Sequence, residues 1–533
     1  MQIMEFDQLL NGLNEDRKAN LYIYGVGRRG KTIISILQKM NFVISGVIDR
    51  RFEKIIGTYM NIPIVSVDCL SENDYVLVTP SEKDEILAYL SSKRILGVAY
   101  TDESVFLMDV LYRLGEYVNE PLNINNPDIL NRKYEEMRNK KIKVYYMWCS
   151  RVGELIYRFM IMSRELADKK DYIVIPLLQE NESICNKELL NIMGRYINII
   201  KKSDIAFYIF LSLYHPEVFS LENANYFDSY SSDIRLSDTS INFKKPFIQL
   251  NDDELRLSED LFTKLGIKRD YVCVFSRDRK YQENLGTLSE DDINSTDFRN
   301  SSIRLYDLLV EYLHHNGIDV VRVGSDVDHE YVNPYVIDFA YRHYNQLLDL
   351  YVQRNCRYWI GNGSGANLIP MLFGKSVIRV NIAYLVDMAF ATVYKKDEIY
   401  SCKLYYLESQ KRYLNLCEIL SLNLKDKDVS RYKYKYGISI IDNSPEDILE
   451  LYKEAVERFE GRWKPSLLEL RLEEKYWKIL NSFLEKYRFV RPFAKLETDK
   501  TLEYCIPTIP IGMSFLKRYS FLLEVSENDS IAL

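Results

Sequence analysis

Cys356-Arg-Tyr-Trp-Ile-Gly-Asn-Gly-Ser-Gly-Ala-Asn367 is the stretch on which the fold turns. Residues 356–361, apolar and aromatic from Tyr358 on, read as a strand. Asn362-Gly-Ser-Gly-Ala-Asn367 is glycine-rich and reads as a tight turn. A short helix is expected over 369–374, stopped by Gly374, and a strand over 376–381. Strand, turn, helix, strand is one βαβ unit, with a right-handed crossover. Such a turn presents backbone N–H groups, and with the Ser364 hydroxyl they can cradle a diphosphate. Gly363, Ser364, Gly365 and Asn367 are therefore candidate phosphate-binding residues. The plainer alternative is a turn capped by Ser364, its glycines present for backbone angles alone.

Outward from this turn the same alternation continues. Strands are expected at 271–276 and 319–324, and helices at 303–315, ended by Asn316-Gly317, and at 346–355. At the end of the 271–276 strand stands Ser276-Arg-Asp-Arg-Lys-Tyr281. Arg277, Arg279 and Lys280 would sit at the carboxyl edge of the same sheet, where ligands of open α/β sheets bind. Guanidinium forks hold phosphate oxygens in pairs. A solvated charged loop is the plainer alternative. Asp297-Phe-Arg299-Asn300-Ser301 precedes a helix that Asn300 or Ser301 can cap. Asp326-Val-Asp328 is a DxD pair, a type that can hold a divalent cation, but the pattern arises often by chance.

Residues 18–100 show a second α/β pattern. Strands are expected at 21–24, 42–48, 62–67, 75–79 and 94–98, with a helix over 31–40. Gly25-Val-Gly27-Arg28-Arg-Gly30 matches GxGxxG, and Asp49 ends the next strand. That context fits a dinucleotide site, with Gly25, Gly27, Arg28 and Gly30 near phosphate and Asp49 on a ribose. An NAD-like ligand, another nucleotide or sugar, and a module that binds nothing all stay open. Residues 119–128 are Asn- and Pro-rich and read as a linker. A third α/β start follows: a strand at 143–148, Arg151-Val-Gly153-Glu154-Leu155, a helix over 154–167 and a strand at 171–177. Glu154 is a candidate general base for an acceptor hydroxyl; a carboxylate favoured by the helix dipole is the alternative. Residues 228–240 read as a long surface loop. Helices over 445–459 and 467–487 close the chain. The second can pack its apolar side on the protein or lie on an anionic membrane.

The chain has 533 residues, 47% hydrophobic and 28% charged, which excludes a disordered or fibrous polypeptide. Its net charge of −7 gives no support to nucleic-acid binding. No apolar run approaches the length that spans a bilayer, and the start lacks the pattern of a secretory signal. Eight cysteines without CxxC spacing and five histidines argue for reduced, buried thiols and against a metal centre built from these residues. A cytoplasmic protein follows, one that would leave the Asn181 sequon unused.

Residues of about 245–385 resemble a family of bacterial glycosyltransferases found with surface-polysaccharide genes. The matching pieces are Tyr271-Val-Cys-Val-Phe-Ser-Arg-Asp-Arg-Lys-Tyr281, Asp297-Phe-Arg299-Asn300 with Ile303, Gly317-Ile-Asp-Val-Val-Arg-Val-Gly324, Ile337-Asp-Phe-Ala340, and Cys356 to Gly365 with Pro370, Phe373 and Asn381. Arg151 to Leu155 is similar to the start of that family's first domain, with Glu154 where the family carries His. The resemblance covers less than half the chain. It implies a two-sheet GT-B transferase with its nucleotide-sugar donor mainly on the second sheet.

The architecture expected is thus α/β. Two Rossmann-like domains in GT-B arrangement, 141–245 for the acceptor and 246–445 for the donor, follow a Rossmann-like module at 1–120 and a linker at 121–140. A helical extension occupies 446–533. The expected activity is metal-independent transfer of a sugar from a nucleotide sugar to a glycan or lipid-linked acceptor, with no cofactor required. Peripheral contact with the inner membrane face and self-association are compatible with it. The rival readings are an NAD-dependent sugar-modifying enzyme centred on Gly25–Asp49 and a non-catalytic nucleotide-sugar-binding subunit.

Overall fold

A computed structural model describes residues 2–16, 18–52, 57–80, 84–100, 103–117, 127–135, 141–178, 183–220, 246–267, 270–285, 289–383, 398–425, 429–490 and 510–524. The loop at 228–240, most of the linker at 119–128, Asn181, Cys505 and the terminus at 526–533 lie outside them. The chain divides into two compact units. One holds Met1–Trp148, Asp168–Leu178 and Ile197–Phe227; the other holds Cys149–Ala167, Gln179–Tyr196 and Asp228–Leu533. The α/β class with Rossmann-like parallel sheets, expected from the alternation of strands and helices, is the class observed.

The first unit contains a five-stranded parallel sheet. Its spatial order is Gln2–Met4, Gly97–Tyr100, Asp74–Val78, Asn20–Tyr24, Ile44–Ile48. Strand order reverses between Asn20–Tyr24 and Asp74–Val78, and the Gly25 turn leaves the sheet there. Two readings shift. The strand expected at 62–67 is a two-residue hairpin arm, Ile62–Pro63, paired with Thr58–Tyr59. Pro63 removes a ladder donor, so the segment cannot continue as an inner strand. Gln2–Met4, too short to announce itself by alternation, supplies an edge instead. A three-stranded parallel sheet, Phe219–Ser220, Ile142–Trp148 and Tyr172–Leu177, completes the described strands of this unit's larger sheets.

The second unit is built on six parallel strands in the spatial order Val336–Asp338, Asp319–Arg322, Tyr271–Phe275, Tyr358–Gly361, Val377–Ile382, Glu398–Cys402. Numbered along the chain this is 3-2-1-4-5-6, the Rossmann order, and its switch point lies between Tyr271–Phe275 and Tyr358–Gly361. The two strands at the switch point, Tyr271–Phe275 and Tyr358–Gly361, are buried along their whole length, as helices on both faces require. Further out, buried ion pairs join Arg322 to Asp338 at 3.1 Å and Arg379 to Glu398 at 2.6 Å. On one side Val272, Val274, Ile360, Ile378 and Val380 pack against Tyr306, Leu309, Leu313, Ile448 and Tyr452, all buried. The fully buried Trp359 stacks on Phe275, centroids 5.6 Å apart. Truncating so large a side chain in a core costs about 3–5 kcal/mol.

The closing helices also follow from sequence. Ser444 caps Pro445–Phe459 by accepting from the Asp447 N–H. In Leu467–Val490, Tyr476, Ile479 and Leu480 are buried, as the apolar spacing anticipates. No described helix is long and apolar enough to cross a membrane. Cys149, Cys273, Cys356 and Cys402 are buried.

Candidate functional site

In the second unit, the switch point brings Ser276-Arg277 and Asn362-Gly-Ser364 side by side. Asn362, fully buried, fastens them: its Oδ1 accepts the Arg277 N–H at 2.7 Å, and its Nδ2 donates to the Arg299 carbonyl at 2.9 Å. Arg277 Nη1 donates to Asn300 Oδ1 at 2.6 Å and to the Thr296 carbonyl at 3.1 Å, neutral acceptors that hold the guanidinium in place. Lys403 Nζ, ion-paired with Asp442, donates to the Asn300 carbonyl at 2.7 Å. The Asp297–Ser301 stretch, bland as a helix cap, is therefore a support for the arginine loop.

The Gly-rich turn opens a helical run, Gly365–Asn367 then Leu368–Leu372. Ser364 caps it, accepting from the Ala366 N–H at 3.4 Å. The helix Val152–Glu165 begins against this turn. A Cβ placed on Gly153 would lie 2.7 Å from Gly365 Cα, closer than real atoms approach. Only glycine permits the contact.

A cavity of about 210 Å³ opens at this meeting. Glu154, Arg277, Ser364 and Gly365 line it together. Sequence reasoning gave no site role to Arg299, Tyr344, Asp349 or Gln353, which line it too. Of the other candidates in this unit, Arg279 is engaged by Glu283 at 3.0 Å and Asp297 at 3.1 Å, and Lys280 lies 3.7 Å from Glu283. Asn367 is buried beneath the turn, and the Gly363 carbonyl faces Arg299 Nη2 at 3.5 Å. These four lie outside the cavity lining. Asp326 and Asp328 are exposed, and the Asp328 N–H donates to Asp278 Oδ2 at 3.0 Å.

Burial sets the electrostatics. Asp349 is 3% exposed on the helix Gln346–Asn355, and desolvation raises its carboxyl to about 7 against the weaker pull of the Gln353 amide and the Gly324 N–H. Desolvation also raises Asp278, opposed by the Asp328 and Lys280 N–H groups, and pushes the Cys185 thiol up to about 12. The sequence carried only a weak signal for Asp349: a lone acid in the helix expected at 346–355, between Leu348 and Leu350.

In the first unit, Gly25 has φ +92°, a conformation suited to glycine, and its carbonyl accepts from Thr79 Oγ1 at 2.6 Å. Gly27 faces open space, and Arg28 begins the helix Arg28–Lys39. Gly30 is buried against the Gly25 backbone. Asp49 turns inward. Its Oδ2 accepts the Val26 N–H at 2.9 Å, and both carboxylate oxygens accept from Arg51. The Arg51 hydrogen bonds first, and the Val26 amide after them, lower its pKa to about 2 against the cost of burial.

No protein-family model matches the chain, and no curated protein matches it. Among solved structures, it is similar to a glycosyl transferase family 9 protein from Veillonella parvula, at 9% identity and TM-score 0.28, over 82% of this chain and 97% of that one. It is similar to the dodecameric iron-containing glycosyltransferase TibC of enterotoxigenic E. coli, at 10% identity and TM-score 0.26, over 48% of this chain and 60% of that one. A third is the E. coli ADP-heptose LPS heptosyltransferase II, at 11% identity and TM-score 0.22, over 68% and 84%.

Proposed function

We propose that this chain is a glycosyltransferase of the GT-B type whose nucleotide-sugar donor occupies the cavity at the 271–275/358–361 switch point. The observation that carries the reading is that one cavity is lined by Arg277, Arg299, Ser364 and Gly365 at the carboxyl ends of parallel strands, with Glu154 among them. Two arginines and a glycine turn suit a diphosphate; a carboxylate in the first turn of a helix suits an acceptor hydroxyl. In the reaction Glu154 takes the proton of the acceptor O–H, the acceptor oxygen bonds to the anomeric carbon, and the bond from that carbon to the diphosphate breaks. The electron pair leaves on the phosphate oxygen, where Arg277 and Arg299 meet the growing charge. These cations do the work a metal would do, so the reaction proceeds without one. Residues 246–445 carry the donor, 141–245 contribute to the acceptor side, and the 1–120 module is auxiliary. The acceptor is a glycan or lipid-linked glycan of surface-polysaccharide synthesis, used at the cytoplasmic side.

The test is donor turnover by the full chain over a panel of nucleotide sugars, with and without glycan acceptors. Release of nucleoside diphosphate that depends on acceptor and is lost in Arg277→Ala supports the reading. No turnover and no binding across the panel removes it.

A further inference from the structure

The helix Gln346–Asn355 brings two polar side chains to the cavity from within the protein. Asp349 and Gln353 stand one turn apart, are 3% and 1% exposed, and both line it. They bond to each other, Gln353 Nε2 donating to Asp349 Oδ2 at 2.9 Å. That bond leaves Asp349 Oδ1 and Gln353 Oε1 over; the Gly324 N–H acts on the Asp349 carboxyl from outside hydrogen-bond geometry, and neither oxygen has a hydrogen-bond partner among the described residues. A buried acceptor without a donor costs about 1–3 kcal/mol. Two of them, adjacent and beside a cavity, are a cost that a ligand bearing two donor groups would remove.

The rest of the lining narrows the ligand. Arg151, Arg277 and Arg299 supply cationic side chains, suited to anionic oxygens. Phosphate oxygens are acceptors only and have nothing to give Asp349 and Gln353. The ligand these residues describe has an anionic part and a neutral part rich in O–H or N–H donors. We infer that Asp349 and Gln353 are specificity-determining residues that receive the hydroxyl protons of the donor's sugar ring, while its diphosphate faces the arginines. This rests on the donor-seat reading above and adds to it which residues read the sugar.

The experiment is isothermal titration calorimetry of the full chain with UDP, GDP, ADP and dTDP, and with UDP-glucose, GDP-mannose, ADP-glucose and dTDP-glucose. It is repeated on Asp349→Asn, nearly isosteric, and on Gln353→Met, which keeps length without the acceptor. The expected result is a conjugate that binds wild type more tightly than its free diphosphate. Each substitution should weaken that conjugate about ten-fold, the scale of one lost hydrogen bond to a buried group, and leave the free diphosphate within about two-fold. Equal weakening of conjugate and diphosphate would assign the pair to the nucleotide and overturn the inference. Unchanged affinities in both variants would make the pair structural and also overturn it, with the donor seat left standing. Wild type that binds neither diphosphates nor conjugates would sink the donor seat and the inference together. A variant that fails to fold is recognised by its thermal midpoint, and the other variant then decides.

Discussion

Gly153 and Gly365 touch backbone to backbone: a Cβ on Gly365 would stand 2.6 Å from Gly153 N. Neither residue can carry a side chain without parting the Glu154 helix from the Ser364 turn. Gly153→Ala or Gly365→Ala should therefore destabilise by about 1–3 kcal/mol, the range for overpacking a close contact. Because both substitutions open one contact, the double variant should cost less than the sum. Urea denaturation of the four proteins checks this. Full additivity would show that the two glycines do not share a contact in solution.

Glu154→Gln keeps the shape of the side chain and removes its basicity. Donor affinity should stay within about two-fold of wild type, while turnover falls about 10²–10⁴-fold, the usual contribution of a general base. Steady-state kinetics beside donor titration separates the two. Wild-type turnover in the variant would move the base elsewhere.

Asn362 is the buried tie between the arginine loop and the glycine turn. Asn362→Leu leaves the Arg277 N–H without its acceptor and the Arg299 carbonyl without its donor. A loss of about 2–4 kcal/mol is expected, with weaker donor binding. Lys403→Met, one contact further out, should weaken donor binding through the Asn300 support of Arg277 while the fold survives. Thermal midpoints and donor titrations distinguish the two effects.

Asp349 makes stability depend on pH. Burial raises its folded pKa to about 7, above an unfolded value of about 3.9. The folded state therefore holds the proton more tightly. Its contribution to stability is present in full below about pH 4, declines up to about pH 7, and is level beyond. Asparagine does not titrate. The midpoint of Asp349→Asn minus that of wild type should rise between pH 4 and 8, as measured by thermal unfolding across buffers. Parallel curves would mean that the carboxyl ionises freely in the folded protein.

Turnover should persist in EDTA, and Asp326→Asn with Asp328→Asn should leave it within about two-fold, since both carboxylates are exposed outside the cavity lining. Loss in chelator restored by Mn²⁺ would return the charge-stabilising role to a metal.

The local sequence determined the strands, the glycine turns and the helix stops. Each depends on neighbours within a few residues: an apolar run at 358–361, glycine at 363 and 365, Asn-Gly after residue 315. A strand as short as Gln2–Met4 escaped because so few residues cannot show a period. The order 3-2-1-4-5-6 was not legible, because which strands pair is settled by burial across the sheet and not by spacing along the chain. The same holds for the site. Glu154, Arg277 and Ser364 could be named from their positions after strands, but that they share one cavity depends on packing between distant segments. Arg299 looked like part of a helix cap, and Asp349 was one residue of the helix expected at 346–355. Only tertiary structure gave the first a place beside the glycine turn and stripped water from the second, and desolvation, which alters a carboxyl's chemistry, is a property of the surroundings and is absent from the residue itself.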